Sequence, residues 1–600
     1  MPPARRRILW HNCLRPLRTN TFQVQQRFCD DFIRSYAMAP KLHGRAFYES
    51  IGSPKYVIAP MVDQSEFAWR MLTRSFLPPD LRTSILAYSP MLHAKLFADG
   101  PKYRAAHFEP LKPPLTMPEP ADSEHQKTLK EDDLYLDGNP KFDRPLFVQF
   151  CANDPEAFLK AARVVQPYCD AVDLNLGCPQ GIAKRGQYGA FLQENWDLIY
   201  KLINTLHNGL DIPVTAKFRI QETKEKTLEY AKMILSAGAS IIAVHGRQRH
   251  QKGHETGLAD WKMLRFLRDN LPPETVMFAN GNILQYDDLQ KCLDATGADG
   301  IMSAEGNLYD PSIFATPPPI GEEGREYWRG RDGKGGYRAD AVLRRYLNII
   351  HEHVLGHQPP KREPLFLPLD ISSGFTEATQ EAQTFTVPEA SATDGDAVPH
   401  QDSAKRKAED EGQAPTKKQK REKVKEEKKS KGKPEKCTNP NLTAMQPHCF
   451  HILRALVGSH HDVRDALARS RPGDMDAYEN VLSLVEKAVK EGLLAYEKDP
   501  SQFETPEMDA EEEALDPELN STAAIRRCKR PFWVCQPHIR PLPKEAMEKG
   551  SLQLSKKQKA KLEAEEIEKE KAGLFANGKV EVVPNGERST EIPKEGVVCG

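Results

Sequence analysis

Six hundred residues carry 84 Lys and Arg against 85 Asp and Glu, so bulk charge points to no anionic partner and only its distribution can. At roughly 150 residues per domain the length admits about four domains. No run approaches the ~18 consecutive apolar residues of a membrane-spanning helix, and no apolar signal core follows the initial arginines, so a soluble, non-secreted protein without a membrane partner is expected. The eleven cysteines lack regular spacing, which argues against a disulfide framework and for a reducing compartment.

The first 29 residues hold Arg5, Arg6, Arg7, Arg15, Arg18 and Arg27 and no acid. Residues 1–50 are therefore expected to be an Arg-rich extension, either disordered or an organelle transit peptide. Cytoplasm or nucleus is the expected location, with a mitochondrial address as the alternative.

From about residue 51 to 325, short apolar runs alternate with amphipathic helical stretches, as when each strand is buried on both faces and each helix on one. The predicted strands lie at 56–60, 84–88, 146–150, 171–176, 213–218, 241–246, 276–281 and 300–305. Eight strands in this length give the count and size of a (β/α)₈ TIM barrel. A doubly wound open sheet gives a similar alternation; the barrel is preferred because the chemically suggestive residues all sit where strands end. An insertion at about 99–144, rich in Pro and charge, reads as a solvent-exposed excursion.

Residues 336–359 and 440–497 show apolar spacing of helical period and form a small helical bundle domain. Between them, 360–437 is poor in apolar periodicity and includes a run at 417–433 with ten Lys or Arg against three Glu. Such a segment cannot bury enough surface to offset its ordering entropy and is expected to be disordered. Its basic run fits RNA phosphates, a nuclear localisation signal or a solvated linker. Residues 498–600 read as a mostly disordered tail around a Cys- and aromatic-containing segment at 524–543. A zinc site from Cys528, Cys535 and His538 lacks a fourth ligand, so no metal is expected.

The active site of a TIM barrel lies at the C-terminal ends of its strands. DLNLGCPQGIAKRG puts Asn175 and Cys178 on the turn after the fourth strand, with Gly177 permitting close approach of a ligand. A lone loop cysteine is more often a packed side chain than a catalyst, and a lone strand-end Lys or His is commonly a satisfied structural residue. Here Lys217 closes the fifth strand and His245 and Arg247 the sixth, so the conjunction favours a site. ANGN at 279–282 and SAEGN at 303–307 are Gly-containing turns whose amides suit a phosphate. Spacing alone thus yields a barrel enzyme for a phosphorylated ligand, with a Cys and a Lys at its centre.

Seven stretches in order, APMVDQSEFAWRML, FVQFCANDPEAFLKAA, DLNLGCPQGIAKRGQYGAFL, TAKFRI, AVHGRQRHQKG, FANGNI and GIMSAEGNL, resemble the tRNA-dihydrouridine synthases. LNLGCPQ, AKRGQYGAFL, SAEGNL and PFWVCQPHIRPLP are similar to the eukaryotic branch acting at D-loop positions 16 and 17. The resemblance implies an NADPH- or NADH-dependent oxidoreductase that reduces uridine in tRNA with FMN, acting as a monomer and without an obligate protein partner.

By that resemblance Pro60, Met61 and Val62 line the flavin ring, Gln149 bonds its pyrimidine edge, Lys217 lies at its N1 and O2 edge, and His245 contacts it. Asn280, Gly281, Asn282, Ala304 and Glu305 supply a phosphate cradle through their amides. Bacterial relatives carry Arg where Glu305 stands here; a carboxylate facing a phosphate is repelled, so Glu305 is expected to turn its side chain away. Cys178 is the implied general acid, protonating C5 while hydride reaches C6; a free thiol, with a pKa of about 8.5, suits that role. Asn175 holds the uracil, while Lys184, Arg185 and Arg247 meet the RNA and the helical domain completes its groove. Two alternatives remain open: an FMN barrel that reduces a free pyrimidine, which needs no RNA-binding bundle, and an RNA-binding protein without turnover, which needs no Cys178, Lys217 and His245 together.

Overall fold

The computed structural model describes residues 41–117, 130–372, 437–504, 516 and 520–548. The Arg-rich start through residue 40, the basic run at 417–433 and the charged tail beyond 548 lie outside the described residues.

Nine parallel strands form one sheet: β1 Tyr56–Ile58, β2 Ile85–Tyr88, β3 Leu92–His93, β4 Leu146–Cys151, β5 Ala171–Leu176, β6 Val214–Arg219, β7 Ile241–His245, β8 Val276–Asn280 and β9 Gly300–Ser303. β1 pairs with both β2 and β9, and β2 with β4, so eight strands close into a TIM barrel, with β3 a short addition beside the end of β4. The eight predicted strands agree with the observed ones to within a few residues.

Strand alternation sorts the interior. Side chains at every second position point to the axis, and Val57, Leu86, Phe147, Ala171, Ile241, Ala243, Val276, Phe278 and Met302 make the apolar lower layers. Helix α1, Gly44–Ser50, closes the bottom: Phe47 stacks on Phe147 with centroids 5.9 Å apart, and the Tyr48 hydroxyl donates to Pro54 O and Asp299 O. Residues 44–50 were expected within a terminal extension; they are part of the barrel, because two buried aromatics plug its open end. Higher on the same inward rows the residues turn polar and line the opposite mouth.

The outer helices start where the sequence supplies caps. Asp154 accepts from the amides of Glu156 and Ala157 at the start of Pro155–Val165, and Thr223 and Asp260 cap Lys224–Ser236 and Trp261–Asn270 in the same way. Tyr286–Thr296 ends on Gly297, whose φ of +65° favours glycine.

The insertion after β2 departs from expectation. Its described residues fold onto helix α2, Phe67–Ser75, and bury their charges: Asp143 takes Arg70 Nε at 3.0 Å, Arg70 Nη2 at 2.5 Å and Arg74 Nη1 at 2.7 Å, and Asp137 takes Arg70 Nη2 at 2.7 Å. All four side chains are buried. The composition suggested a solvated excursion, but mutually neutralised, hydrogen-bonded charges can leave water. Gly138 is required here: at φ +70° its amide donates to Asp143, and a Cβ would stand 1.8 Å from Tyr168 O.

Beyond the barrel, a hairpin of β10 Tyr327–Arg329 and β11 Gly335–Tyr337 precedes a helical region of Ala339–Ile349, Pro440–Ile452, His461–Arg469 and the 24-residue Met475–Lys498. Residues 360–372, expected to be disordered, are ordered, with Arg325 paired to Asp370 at 2.8 Å. Trp533, fully buried, packs against Trp328, Tyr496 and Phe503, and Cys535 N donates to Tyr337 O. Residues 524–539 of the expected 524–543 segment are thus anchored to the helical region by their largest aromatic. Cys528 and Cys535 are both buried.

The described residues fall into two compact units, the second taken from 253–257 and 540–548, where a turn at Gly253–Glu255 packs with the short helix Pro543–Glu548. No helix among the described residues is long and apolar enough to cross a membrane.

Candidate active site

Inward positions at the C-terminal strand ends are polar. β4 contributes Gln149, β5 Asp173 and Asn175, β6 Thr215 and Lys217, β7 His245 and β8 Asn280. Neighbours in this ring are register partners: Gln149 with Asp173, Asp173 with Thr215, Asn175 with Lys217, and His245 with Asn280. The two-residue period of a strand and the closure of the sheet are sufficient to bring them to one mouth.

Within this ring Asn175 Nδ2 donates to Gln149 Oε1 at 2.7 Å, and Gln149 Nε2 donates to Asp173 Oδ2 at 2.8 Å. Thr215 Oγ1 donates to the other Asp173 oxygen at 2.6 Å. Asn175 Oδ1 accepts from the amides of Gly177 at 3.1 Å and Cys178 at 2.9 Å, fixing the first turn of the loop. That loop is pinned from outside as well. Ala190 N donates to Cys178 O, and Gly189, at φ +65°, lies so close that a Cβ would be 2.9 Å from Cys178 O. The half-buried Cys178 packs on Cys151, Ala183 and Tyr188. Burial, with the neighbouring Cys178, pushes the Cys151 thiol up to about 12, so Cys151 remains a neutral packing partner.

Lys217 Nζ donates to Asn280 Oδ1 at 3.1 Å, and Asn280 Nδ2 in turn donates to Met302 O. Desolvation, then the charge of Arg219, pulls Lys217 down to about 8, against the attraction of Asp173. His245 falls well below its ordinary value, by burial and then by the Arg219, Lys217 and Arg247 charges; it is neutral at pH 7. Burial lifts Asp173 to about 6, against the bonds from Thr215 and Gln149.

The sequence pattern did not single out Arg219, although it continues the Lys217 row by two residues. Its Nε donates to Gly177 O at 2.8 Å and its Nη1 to Gln248 O at 3.1 Å and Gln251 O at 3.3 Å. One cation thereby ties the Cys178 loop to the loop after β7.

The two Gly-containing turns meet the requirements of a phosphate cradle. Gly281 has φ +119°, and a Cβ there would come within 2.6 Å of Ala259 Cβ. Asn282 follows at φ 61°; its Oδ1 accepts from Arg247 Nη2 at 2.7 Å and from Ala259 N at 3.0 Å. Arg247 Nη1 also lies 3.2 Å from His245 Nε2. Arg247, expected to meet RNA, is therefore directed into the site beside the Asn282 turn. Ala304 precedes the short helix Glu305–Tyr309, and a Cβ on Gly306 would strike Ile283 O at 2.2 Å. Burial lowers His451 of the helical region, with the nearby Glu305 charge acting weakly against it.

Pro60 and Met61 are partly buried after β1, Met61 N donating to Ser65 Oγ at 3.0 Å, while Val62 is exposed. Lys184 and Arg185 are exposed on the helix Gly181–Gly186 that follows Cys178. The mouth thus offers a thiol, an ammonium, amide donors with spare hydrogens and two tight Gly turns, a set that fits a flavin phosphate and a carbonyl-rich ring.

Residues 57–327 match the family described as Dihydrouridine synthase (Dus). Over 543 residues, 89% of this chain and 96% of the relative, the chain is 38% identical to a Saccharomyces cerevisiae protein named tRNA-dihydrouridine(16/17) synthase (NAD(P)(+)). This chain belongs to the dihydrouridine synthase family. A Schizosaccharomyces pombe protein of the same name is 51% identical over 315 residues, 52% of this chain and 68% of the relative. A human family member named tRNA-dihydrouridine(20a/20b) synthase (NAD(P)+)-like is 31% identical over 265 residues, 43% of this chain and 70% of the relative.

Proposed function

We propose that this chain is an NAD(P)H-dependent oxidoreductase that reduces the C5–C6 bond of uridine in the D-loop of tRNA, at positions 16 and 17, with FMN as its flavin and as a monomer. The observation that carries the reading is the Cys178 loop, held at 2.9 Å by Asn175 at a barrel mouth that also holds Lys217, His245 and Asn280. Family membership over nearly the whole of a (16/17) synthase supports the same substrate.

When bound, the flavin supplies the hydride that adds to C6. Pro60, Met61, Val62, Gln149 and His245 would hold its ring, and Gly281, Asn282, Ala304 and Glu305 its phosphate through their amides, with Arg247 as counter-charge. Lys217 keeps a fixed ammonium in a partly dry layer, where it stabilises negative charge better than water does. Neutral His245 adds a hydrogen-bonding ring without further repelling that cation. Cys178 delivers the proton to C5.

The target uridine must leave its stack, at a cost of a few kcal/mol. Exposed Lys184 and Arg185 beside Cys178 offset part of it through phosphate contacts, and the helical region supplies further surface to a folded RNA recognised by shape.

Mass-spectrometric mapping of dihydrouridine in unmodified tRNA, incubated with protein, FMN and NADPH, tests this. Wild type should give dihydrouridine at 16 or 17, whereas Cys178→Ala should retain FMN and lose the product. A flavin-loaded wild type that yields none would favour a free-pyrimidine reductase or an RNA-binding protein without turnover.

A further inference from the structure

Asp173 is fully buried, one inward position below Asn175, in a strand row that is otherwise apolar beneath it. A packing role alone would be met by another residue like Ala171 or Phe147. Desolvating a carboxylate is costly, and here its direct partners are the neutral groups of Gln149 and Thr215 rather than a cation.

Its effect follows from hydrogen-bond direction. An ionised carboxylate only accepts, so Gln149 must turn Nε2 to Asp173, at 2.8 Å, and present Oε1 to Asn175. Asn175 must then offer Nδ2, at 2.7 Å, which reserves its Oδ1 for the amides of Gly177 and Cys178. Side-chain amides are nearly symmetric in shape, and either orientation packs equally well. The symmetry is broken from both ends, by the carboxylate, which only accepts, and by the Gly177 and Cys178 amides, which only donate. With both amides reversed, Asn175 would set an NH₂ against the Cys178 amide, donor against donor, and the loop would lose its anchor.

We propose that Asp173 is a positioning residue: through Gln149 and Asn175 it fixes the direction of the hydrogen-bond chain and thereby the placement of the Cys178 thiol. The same direction leaves the second amide hydrogen of Asn175 as a donor at the mouth, suited to the carbonyl edge of a uracil or flavin ring. Although burial lifts Asp173 to about 6, it stays ionised at pH 7, helped by Lys217. The consequence for tRNA rests on the proposed activity.

The test compares wild type, Asp173→Asn and the double variant Asp173→Asn/Gln149→Glu, in which the acceptor moves by one residue and Asn175 recovers its original direction. Two quantities are read: dihydrouridine formation in tRNA, and the rate at which iodoacetamide alkylates Cys178, followed by peptide mass spectrometry. Asp173→Asn should lower tRNA reduction by roughly 10²-fold, the scale of a misplaced reacting group, and alkylate Cys178 several-fold faster. The double variant should return alkylation to the wild-type rate, whatever the Gln149→Glu change does to flavin use. Wild-type behaviour of Asp173→Asn in both assays overturns the inference, as does a double variant that alkylates as fast as the single one. Should Asp173→Asn fail to fold, a folded double variant with wild-type alkylation supports the inference, and a double variant that also fails to fold overturns it. A wild type without dihydrouridine product would remove the proposed activity, while the alkylation arm still decides the role of Asp173.

Discussion

The barrel mouth and the joint between barrel and helical region are both built from buried polar groups, yet they end differently. In the joint, His448 Nε2 lies 3.0 and 3.1 Å from the two Glu66 oxygens and its ring stacks on Trp69 at 4.0 Å. Glu109 takes Asn439 and Asn441, and the Ala68 amide donates to Asn441. Burial, with Asp137 nearby, lifts Glu109 to about 7, above the value Asp173 reaches in the mouth. A shifted pKa therefore does not separate a site from a joint. The separating feature is where the hydrogen-bond chains lead: in the joint they link barrel to helical region and leave the buried His448 Nδ1 unmatched, whereas in the mouth they lead to Asn175 and Lys217 beside the Cys178 loop.

The sharpest break between the two regions should come from Arg70, which binds Asp143 and Asp137 of the insertion and donates to Ser65 O at 2.8 Å. Arg70→Met leaves Asp143 and Asp137 buried with their main cation gone, a loss of about 3–5 kcal/mol for a broken buried pair. Denaturant titration should register it as a lower midpoint, while flavin-loaded molecules that remain folded keep their reduction rate. Acid should narrow the gap. Burial alone would raise Asp143, but Arg70 and then Arg74 hold it below its ordinary value. Its contribution is therefore present above the unfolded-state carboxylate range and lost as pH falls through the lower folded value. An Arg70→Met protein as stable as wild type at pH 7 would show that the network is dispensable.

Lys217 should behave in the opposite sense. Lys217→Met removes a desolvated cation, so stability should hold or rise, while reduction of bound flavin by NADPH slows by roughly 10² to 10³-fold, the cost of losing one stabilising charge or donor. Stopped-flow absorbance measures both proteins. The ammonium is present below about 8 and lost above it. The wild-type rate should therefore decline on an alkaline limb, displaced upward by any negative charge the ligand brings, and Lys217→Met should lack that limb. A variant that keeps the limb would place the titrating group elsewhere.

The mouth was legible in the sequence to the extent that it obeys the strand period. Asn175, Lys217, His245 and Asn280 follow apolar runs at inward positions, and closing the sheet does the rest. Arg219 and Asp173 obey the same rule: one extends the Lys217 row, the other is an acid inside an apolar strand. Both escape a reading of the sequence because their partners, Gly177 O and the Gln149 amide, are contacts that no local pattern records. The joint was far less legible. Charges at 130–144 look solvated in one dimension, since nothing local shows that Arg70 and Arg74, some seventy residues earlier, will neutralise them. The β10–β11 hairpin did carry a signal, Asp332-Gly333 between short strands, but β3, two residues long, has none.

The smallest effect should come from the exposed rim of the mouth. Lys184 and Arg185 stand in water on the helix after Cys178, so truncating either should leave stability within about 0.5 kcal/mol. Flavin reduction should be unchanged as well. If these side chains meet tRNA phosphates, each loss should raise KM for tRNA while sparing kcat. The slope of log affinity against log salt should also become shallower by up to about one per charge removed. A double Lys184→Ala/Arg185→Ala protein with an unaltered salt slope would move the RNA backbone off this rim and toward the helical region, and the donors left at the mouth would then recognise the base alone.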